Sequence, residues 1–134
     1  MRIHTDGGAR GNPGPAACAF VVTDEKGRLI HRQGFYLGVT TNNQAEYLGV
    51  IKALEWLSAQ KHEETEFFLD SQLIVNQLNG RYRVKDSGLK IKNLEIKDLI
   101  KNFKLKIKNF SYVPRTQNSQ ADLLVNQTLD RRTR

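Results

Sequence analysis

Cysteine is nearly absent from this chain: Cys18 is the only one in 134 residues, so no intramolecular disulfide and no cysteine-rich zinc site can support the fold. Cys18 lies in the apolar run 16–22, where the expected role is a small buried core residue rather than a nucleophile. Proline is scarce as well, with three residues, and no proline-rich linker or low-complexity tract divides the chain. No apolar run approaches the ~18 residues needed to span a bilayer, and the opening Met1-Arg2-Ile3-His4-Thr5-Asp6 lacks the apolar stretch of a secretory signal. These gaps exclude a disulfide-stapled scaffold and a spanning helix. The expectation is one soluble, cytoplasmic, monomeric domain over residues 1–134, without membrane contact or an obligate protein partner. The order of the basic tail at 131–134 is left open.

Positive charge is what the chain has in excess. The formal net charge is +7. Residues 1–80 carry seven Lys/Arg against nine Asp/Glu, whereas residues 81–134 carry fourteen against five. A basic C-terminal part suits a polyanionic partner, because Lys and Arg that neutralise phosphates release condensed counterions. Many proteins keep a basic surface merely for solubility, so charge alone does not name the partner.

Apolar periodicity supplies the architecture. Residues 2–6, 16–23 and 28–37 favour strands, and Asp24-Glu25-Lys26-Gly27 reads as a hairpin turn. From Asn42 the apolar residues Tyr47, Val50, Ile51, Leu54 and Leu57 recur at steps of three and four, which predicts a helix ending near Lys61. Glu66–Leu69 reads as a short strand ending on Asp70, followed by a helix that Asn79-Gly80 stops. Residues 81–90 are basic and irregular. A helix through Leu94–Phe103, a strand over 105–113, a loop Pro114–Gln117 and a last helix from about Asn118 to Asp130 complete the order βββαβααβα. Such an order implies a mixed sheet with helices against its faces.

Four acids then stand where that order makes them converge: Asp6 after the apolar residues of the first strand, Asp70 at the end of the fourth, Glu46 near the start of the first long helix, and Asp122 near the start of the last. Clustered carboxylates repel one another, so such a cluster calls for a divalent cation. Oxygen-only ligands suit Mg²⁺ or Mn²⁺ rather than zinc. Taken singly, Glu46 and Asp122 could serve only a helix dipole and Asp70 could cap the helix behind it. Their surroundings argue for more. Gly7 and Gly8 allow positive φ and close approach of a large ligand, Arg10 and Asn12 go beyond what a plain turn needs, and Asn42, Asn43 and Gln44 crowd amides beside Glu46.

The segments Asp6–Pro15 (Asp-Gly-Gly-Ala-Arg-Gly-Asn-Pro-Gly-Pro), Asn42–Tyr47 (Asn-Asn-Gln-Ala-Glu-Tyr), Asp70-Ser71-Gln72, and Val113-Pro114-Arg115 followed by Asn118–Asp122 resemble, in order and spacing, the type I ribonuclease H family. That resemblance implies an α/β fold with a five-stranded mixed sheet in the order 3-2-1-4-5 and helices on both faces. It implies cleavage of the RNA strand of RNA–DNA hybrids, leaving 5′-phosphate and 3′-hydroxyl ends. The catalytic, metal-ligating set falls on Asp6, Glu46, Asp70 and Asp122, with two Mg²⁺ ions, replaceable by Mn²⁺, about 4 Å apart across the scissile phosphate. Asp6 is the implied bridge between them. Asn12, Asn42, Asn43 and Gln72 match positions that read the hybrid's minor groove, where the 2′-hydroxyl distinguishes RNA from DNA, and Glu46 also receives a 2′-hydroxyl hydrogen bond. Thr41 resembles a phosphate-pocket residue for the DNA strand. Asn93 either joins it or caps a helix.

Two departures from the family pattern stand out. Many relatives carry a histidine in the loop before the last helix, whereas this chain has Arg115-Thr116-Gln117-Asn118-Ser119-Gln120. Arg115 is the nearest replacement, able to stabilise charge but not to act as a general base. His4, His31 and His62 are expected to be structural. The tryptophan-bearing basic protrusion of some relatives is also missing: Arg81, Arg83, Lys85, Lys90 and Lys92 supply charge, while Trp56 belongs to the first long helix as packing. No separate hybrid-binding domain is expected ahead of Asp6. Two rivals are an exonuclease or strand-transfer enzyme on the same scaffold and a binding module without turnover.

Overall fold

The computed structural model describes residues 1–61 and 63–132. Strands β1 (Arg2–Ala9), β2 (Gly14–Thr23) and β3 (Leu29–Thr40) form an antiparallel meander. Helix α1 (Asn42–Ser58), strand β4 (Thr65–Leu69), helices α2 (Gln72–Leu78) and α3 (Ser87–Asn102), strand β5 (Ile107–Tyr112), a 3-10 turn (Arg115–Gln117) and helix α4 (Ser119–Arg132) follow. The sheet order is β3-β2-β1-β4-β5, with β4 parallel to both β1 and β5. The expected fold class and element order are both present.

The alternation of β2 divides the interior into two layers. Phe20 and Val22 join Ile3, Phe67 and Leu69 under α1, α2 and α3, with Tyr47, Leu54, Ile74 and Ile96 completing that core. Ala17 and Ala19 face the other way and pack against Val125 and Leu129 of α4. Small alanines there let α4 approach the sheet closely. The first core is the larger, because three helices cover that face. No helix among the described residues is long and apolar enough to cross a membrane.

Turn and cap chemistry follows the sequence at most boundaries. In the hairpin between β2 and β3, the Gly27 amide donates to the Asp24 carbonyl at 3.0 Å, and the Asp24 carboxylate accepts from the amides of Lys26 and Arg28. Cys18 is fully buried, and burial pushes its thiol up to about 12, which is the inert core role expected of it. Trp56 is half-buried, stacked on His31 and tilted against Phe20. His4 stacks on Phe68. His62 lies outside the described residues.

Several boundaries differ from expectation for identifiable reasons. β1 continues through Asp6, Gly7 and Gly8 to Ala9, pairing with β2 along its whole length, so Gly7 and Gly8 do not form a bend. Neither has positive φ; Gly11, Gly27, Gly38 and Gly80 do. Gly7 is required by packing instead, because a Cβ there would overlap the Ala45 backbone at the start of α1. Helix α3 begins well before Leu94, at Ser87, with the Asp86 carboxylate accepting from the Leu89 amide at 2.9 Å. Ser87 and Gly88, weak helix formers, conceal that start in the sequence. Asn93 is therefore not a cap: it is buried in mid-helix. Arg131 and Arg132 are not a loose tail either. They form the last turn of α4, where the Arg132 guanidinium lies 4.7 Å from the Tyr36 ring centroid; Thr133 and Arg134 lie outside the described residues.

The glycine contacts make a direct stability prediction. Gly7→Ala should destabilise by about 3 kcal/mol or more, since the clash is with backbone that cannot rotate away. Gly8→Ala, whose nearest neighbour is the Asn42 Oδ1 at 4.0 Å, should change stability little. Urea unfolding of the two variants compares them directly; equal midpoints would refute the packing role of Gly7.

Candidate active site

β1 and β4 pair in parallel through Arg2–Glu66, Ile3–Phe67 and His4–Phe68, and the ladder stops there. Two residues further along the same register are Asp6 and Asp70. The two acids thus stand side by side where the strands cease to pair. α1 delivers Glu46 from its second turn, held by the same contact that requires Gly7. One carboxylate oxygen from each of Asp6, Glu46 and Asp70 lies within 4.8 Å of the others. Asp122, in the first turn of α4, comes from the opposite face of the sheet and lines the same cleft. This cleft, about 430 Å³, also has Arg10, Asn42, Arg115 and Asn126 in its wall.

The electrostatics record the crowding. Burial, and then the charges of Asp70 and Asp122, push the Asp6 carboxyl up to about 7. Glu46 is raised well above its usual range by burial first, then by the charges of Asp6 and Asp70, and Arg115 partly opposes the shift. Arg115 thus does sit beside the acids, on the 3-10 turn ahead of α4. Among the described residues, Glu46 Oε2 and Asp70 Oδ2 are buried without any hydrogen-bond partner. An acceptor left so costs about 1–3 kcal/mol. Two orphaned oxygens in an all-carboxylate cluster match the requirements of a hard divalent cation.

The expected amide contacts divide into three groups. Asn12 and Asn42 stand together at the cleft: the Asn42 amide donates to Asn12 Oδ1 at 3.0 Å, and Asn42 Oδ1 accepts from the Ala9 amide at 2.8 Å. Their side-chain oxygens thus tie the start of α1 to the β1–β2 loop, which leaves their NH₂ groups for a ligand. Thr41 caps α1, accepting from the Gln44 amide at 3.2 Å. Asn43 belongs to a separate groove with Gln77, Arg81, Arg83 and Lys85. Gln72 lines a third, between α2 and β5, together with Arg81. Asn93 reaches neither groove, because its amide donates to the Tyr47 hydroxyl at 3.4 Å, and that hydroxyl donates to Gln77 Oε1 at 2.8 Å.

Asn118 is a residue whose importance the sequence did not convey. It is buried, and its Nδ2 donates to the Thr5 carbonyl at 2.8 Å, so it pins the approach to α4 against β1 one residue before Asp6. A polar residue ahead of a helix reads as an ordinary cap, and nothing local announces a bond 113 positions away. Ser71, not Asp70, caps α2, accepting from the Ile74 amide at 3.3 Å; Asp70 is thereby left to the acid cluster.

Comparison with known proteins agrees with this geometry. A family model described as "Reverse transcriptase-like" matches residues 4–128. Ribonuclease HI of Halobacterium salinarum is 38% identical over 131 residues, covering 96% of this chain and 65% of that protein. The bifunctional protein Rv2228c of Mycobacterium tuberculosis is 37% identical over 129 residues, and there the chain spans 35% of the relative's length. An RNase H1 isolated from compost by a metagenomic approach superimposes with a TM-score of 0.94 at 44% identity, covering 99% of this chain and 97% of that one. That enzyme has also been solved in complex with an RNA/DNA hybrid, and this form superimposes with a TM-score of 0.93. With the sheet order, the placement of the acids and near-complete coverage all in agreement, the chain belongs to the ribonuclease HI family.

Proposed function

We propose that this chain is an endoribonuclease that hydrolyses the RNA strand of RNA–DNA hybrids, with residues 1–134 as one catalytic domain and a cytoplasmic site of action. The observation that carries the reading is the pair of buried, unpartnered carboxylate oxygens on Glu46 and Asp70 beside Asp6. Asp6, Glu46, Asp70 and Asp122 are the residues that would hold divalent cations, two Mg²⁺ or Mn²⁺ ions in this reading, with Asp6 interacting with all three other acids. When bound, such ions supply activation of the attacking water and stabilisation of the leaving 3′-oxygen, which gives 5′-phosphate and 3′-hydroxyl products.

The remaining work belongs to side chains that orient the substrate. Glu46 doubles as acceptor for a ribose 2′-hydroxyl, a group that DNA lacks. Asn12, Asn42, Asn43 and Gln72 supply amide donors and acceptors for the minor groove, and Thr41 lines a phosphate pocket for the DNA strand; Asn93, bonded inward to Tyr47, has no part in that pocket. Arg115 replaces the family histidine electrostatically, since its guanidinium offsets negative charge near Glu46 but cannot take up a proton.

Incubation with blocked-end hybrid, duplex DNA and duplex RNA in Mg²⁺ tests the activity: internal cuts in hybrid RNA are expected, and cutting of DNA overturns the reading. For the site, Asp70→Asn should lower hybrid cleavage by more than the about 10–100-fold typical of losing an outer-sphere partner of a metal site, while hybrid binding is retained. Residual turnover near the parent rate removes Asp70 from the ligand set.

The raised carboxyls set a pH dependence of stability. Between the unfolded value near 3.8 and the folded value of about 7 for Asp6, the native state holds a proton the unfolded chain has lost. Native stability from this group therefore falls as pH rises through that window. Thermal melts in EDTA should show Tm decreasing from pH 6 to pH 8, and Asp6→Asn should flatten that slope. Added Mg²⁺ should raise Tm more at pH 8 than at pH 6, because ligands must be deprotonated.

A further inference from the structure

The acid cleft has two cationic side chains in its wall among the described residues, Arg115 and Arg10, and the functional reading uses only the first. Arg10 immediately follows β1, on the same loop as Asn12. Its Nη2 donates to Asp130 Oδ1 at 2.6 Å and to the carbonyl and Oδ1 of Asn126, both at 3.4 Å. All three bonds use one nitrogen. The Nε and Nη1 donors make no hydrogen bond to any described residue, although the guanidinium is braced on the edge that faces α4. Arg10 is also accessible, with its side chain 40% exposed.

A brace of this kind is not explained by stability alone. Exposed ion pairs contribute little to stability, and α4 is already held to the sheet by Val125 and Leu129 against Ala17 and Ala19. What the brace does accomplish is to hold a planar fork in one orientation at the mouth of a cleft that has a negative floor. A guanidinium with a fixed fork suits the oxygens of a phosphodiester, and less ordering entropy is then lost for each bond formed. A polyanion entering over Asp6, Glu46 and Asp122 meets repulsion at the floor, so cationic donors at the rim are where backbone phosphates can be retained.

We propose that Arg10, positioned by Asp130 and Asn126, is a substrate-binding residue that contacts a backbone phosphate of the bound hybrid beside the acid cleft. The inference rests on the functional reading above and adds a contact which that reading does not contain. Asp130 and Asn126 are positioning residues in this scheme: they act on the substrate only through Arg10.

Fluorescence anisotropy with a short labelled RNA–DNA hybrid, in Ca²⁺ over a KCl series, tests the assignment without turnover. For Arg10→Ala the hybrid Kd should rise several-fold, and the slope of log K against log [KCl] should become shallower by about one phosphate's worth, roughly 0.9. Arg10→Lys should recover the slope, since the charge returns, but only part of the affinity. Asp130→Ala removes the shortest bond of the brace and keeps the charge of Arg10, so its slope should equal the parent's. Thermal melts run alongside identify any general loss of folding. If Arg10→Ala and Asp130→Ala lower Tm alike and neither changes the salt slope, Arg10 is only a structural tie and the proposal is overturned. Failure of the parent protein itself to bind hybrid overturns the functional reading instead, so the two failures are distinguishable.

Discussion

Carboxylates brought within 4.8 Å of one another repel, and unit charges 4 Å apart interact at about 4 kcal/mol where the effective dielectric is about 20. Folding of this chain has to impose that arrangement against its own electrostatics. The protein does so by drawing each acid from an element anchored elsewhere: β1 and β4 by their parallel ladder, α1 by the larger core, α4 by the smaller one. No single element could bring the acids together. The raised carboxyl of Asp6 is the visible cost of this arrangement, and the cluster it creates fits a divalent cation.

The same constraint explains the polar ties around the site. Where β1 and β4 stop pairing, backbone support ends, and side chains take over. Asn118 bonds to the Thr5 carbonyl, Asn42 to the Ala9 amide, and Asn12 to the Asn42 amide. Each crosses between segments distant in sequence, and each lies within a few residues of an acid in space or along the chain. The amides that look like ligand-binding groups in the sequence are therefore half committed to architecture. The oxygen ends of Asn12 and Asn42 hold the site rigid, and the NH₂ ends of the same side chains are not used for that purpose. Gly7 and Gly49 act similarly: a Cβ at Gly49 would come within 2.9 Å of the Asp6 carbonyl, so α1 can cross β1 closely enough to present Glu46 only because both positions lack side chains.

Local pattern carried much of the fold. The three- and four-residue spacing from Tyr47 to Leu57 identifies α1, and Asp24–Gly27 identifies the hairpin, because both depend on neighbours in the chain. The start of α3 was hidden, since Ser87-Gly88 are poor helix formers; the Asp86 cap on the Leu89 amide and the burial of Leu89, Asn93 and Ile96 are what hold the helix there. The strand character of Gly7 and Gly8 was hidden for a related reason. Pairing with Cys18 and Ala17 overrides the freedom that glycine has in isolation.

The sequence by itself determined the identities and order of the four acids, the element each belongs to and the basic character of the second half, since these are written in residue type and periodicity. Only the tertiary structure decided that Asp6 and Asp70 adjoin where their strands part, that Glu46 and Asp70 keep orphaned oxygens, and that Asn93 turns inward to Tyr47 while Arg10 is braced by α4. Distance between residues far apart in the chain is set by the packing of whole layers, and no local window of sequence contains it.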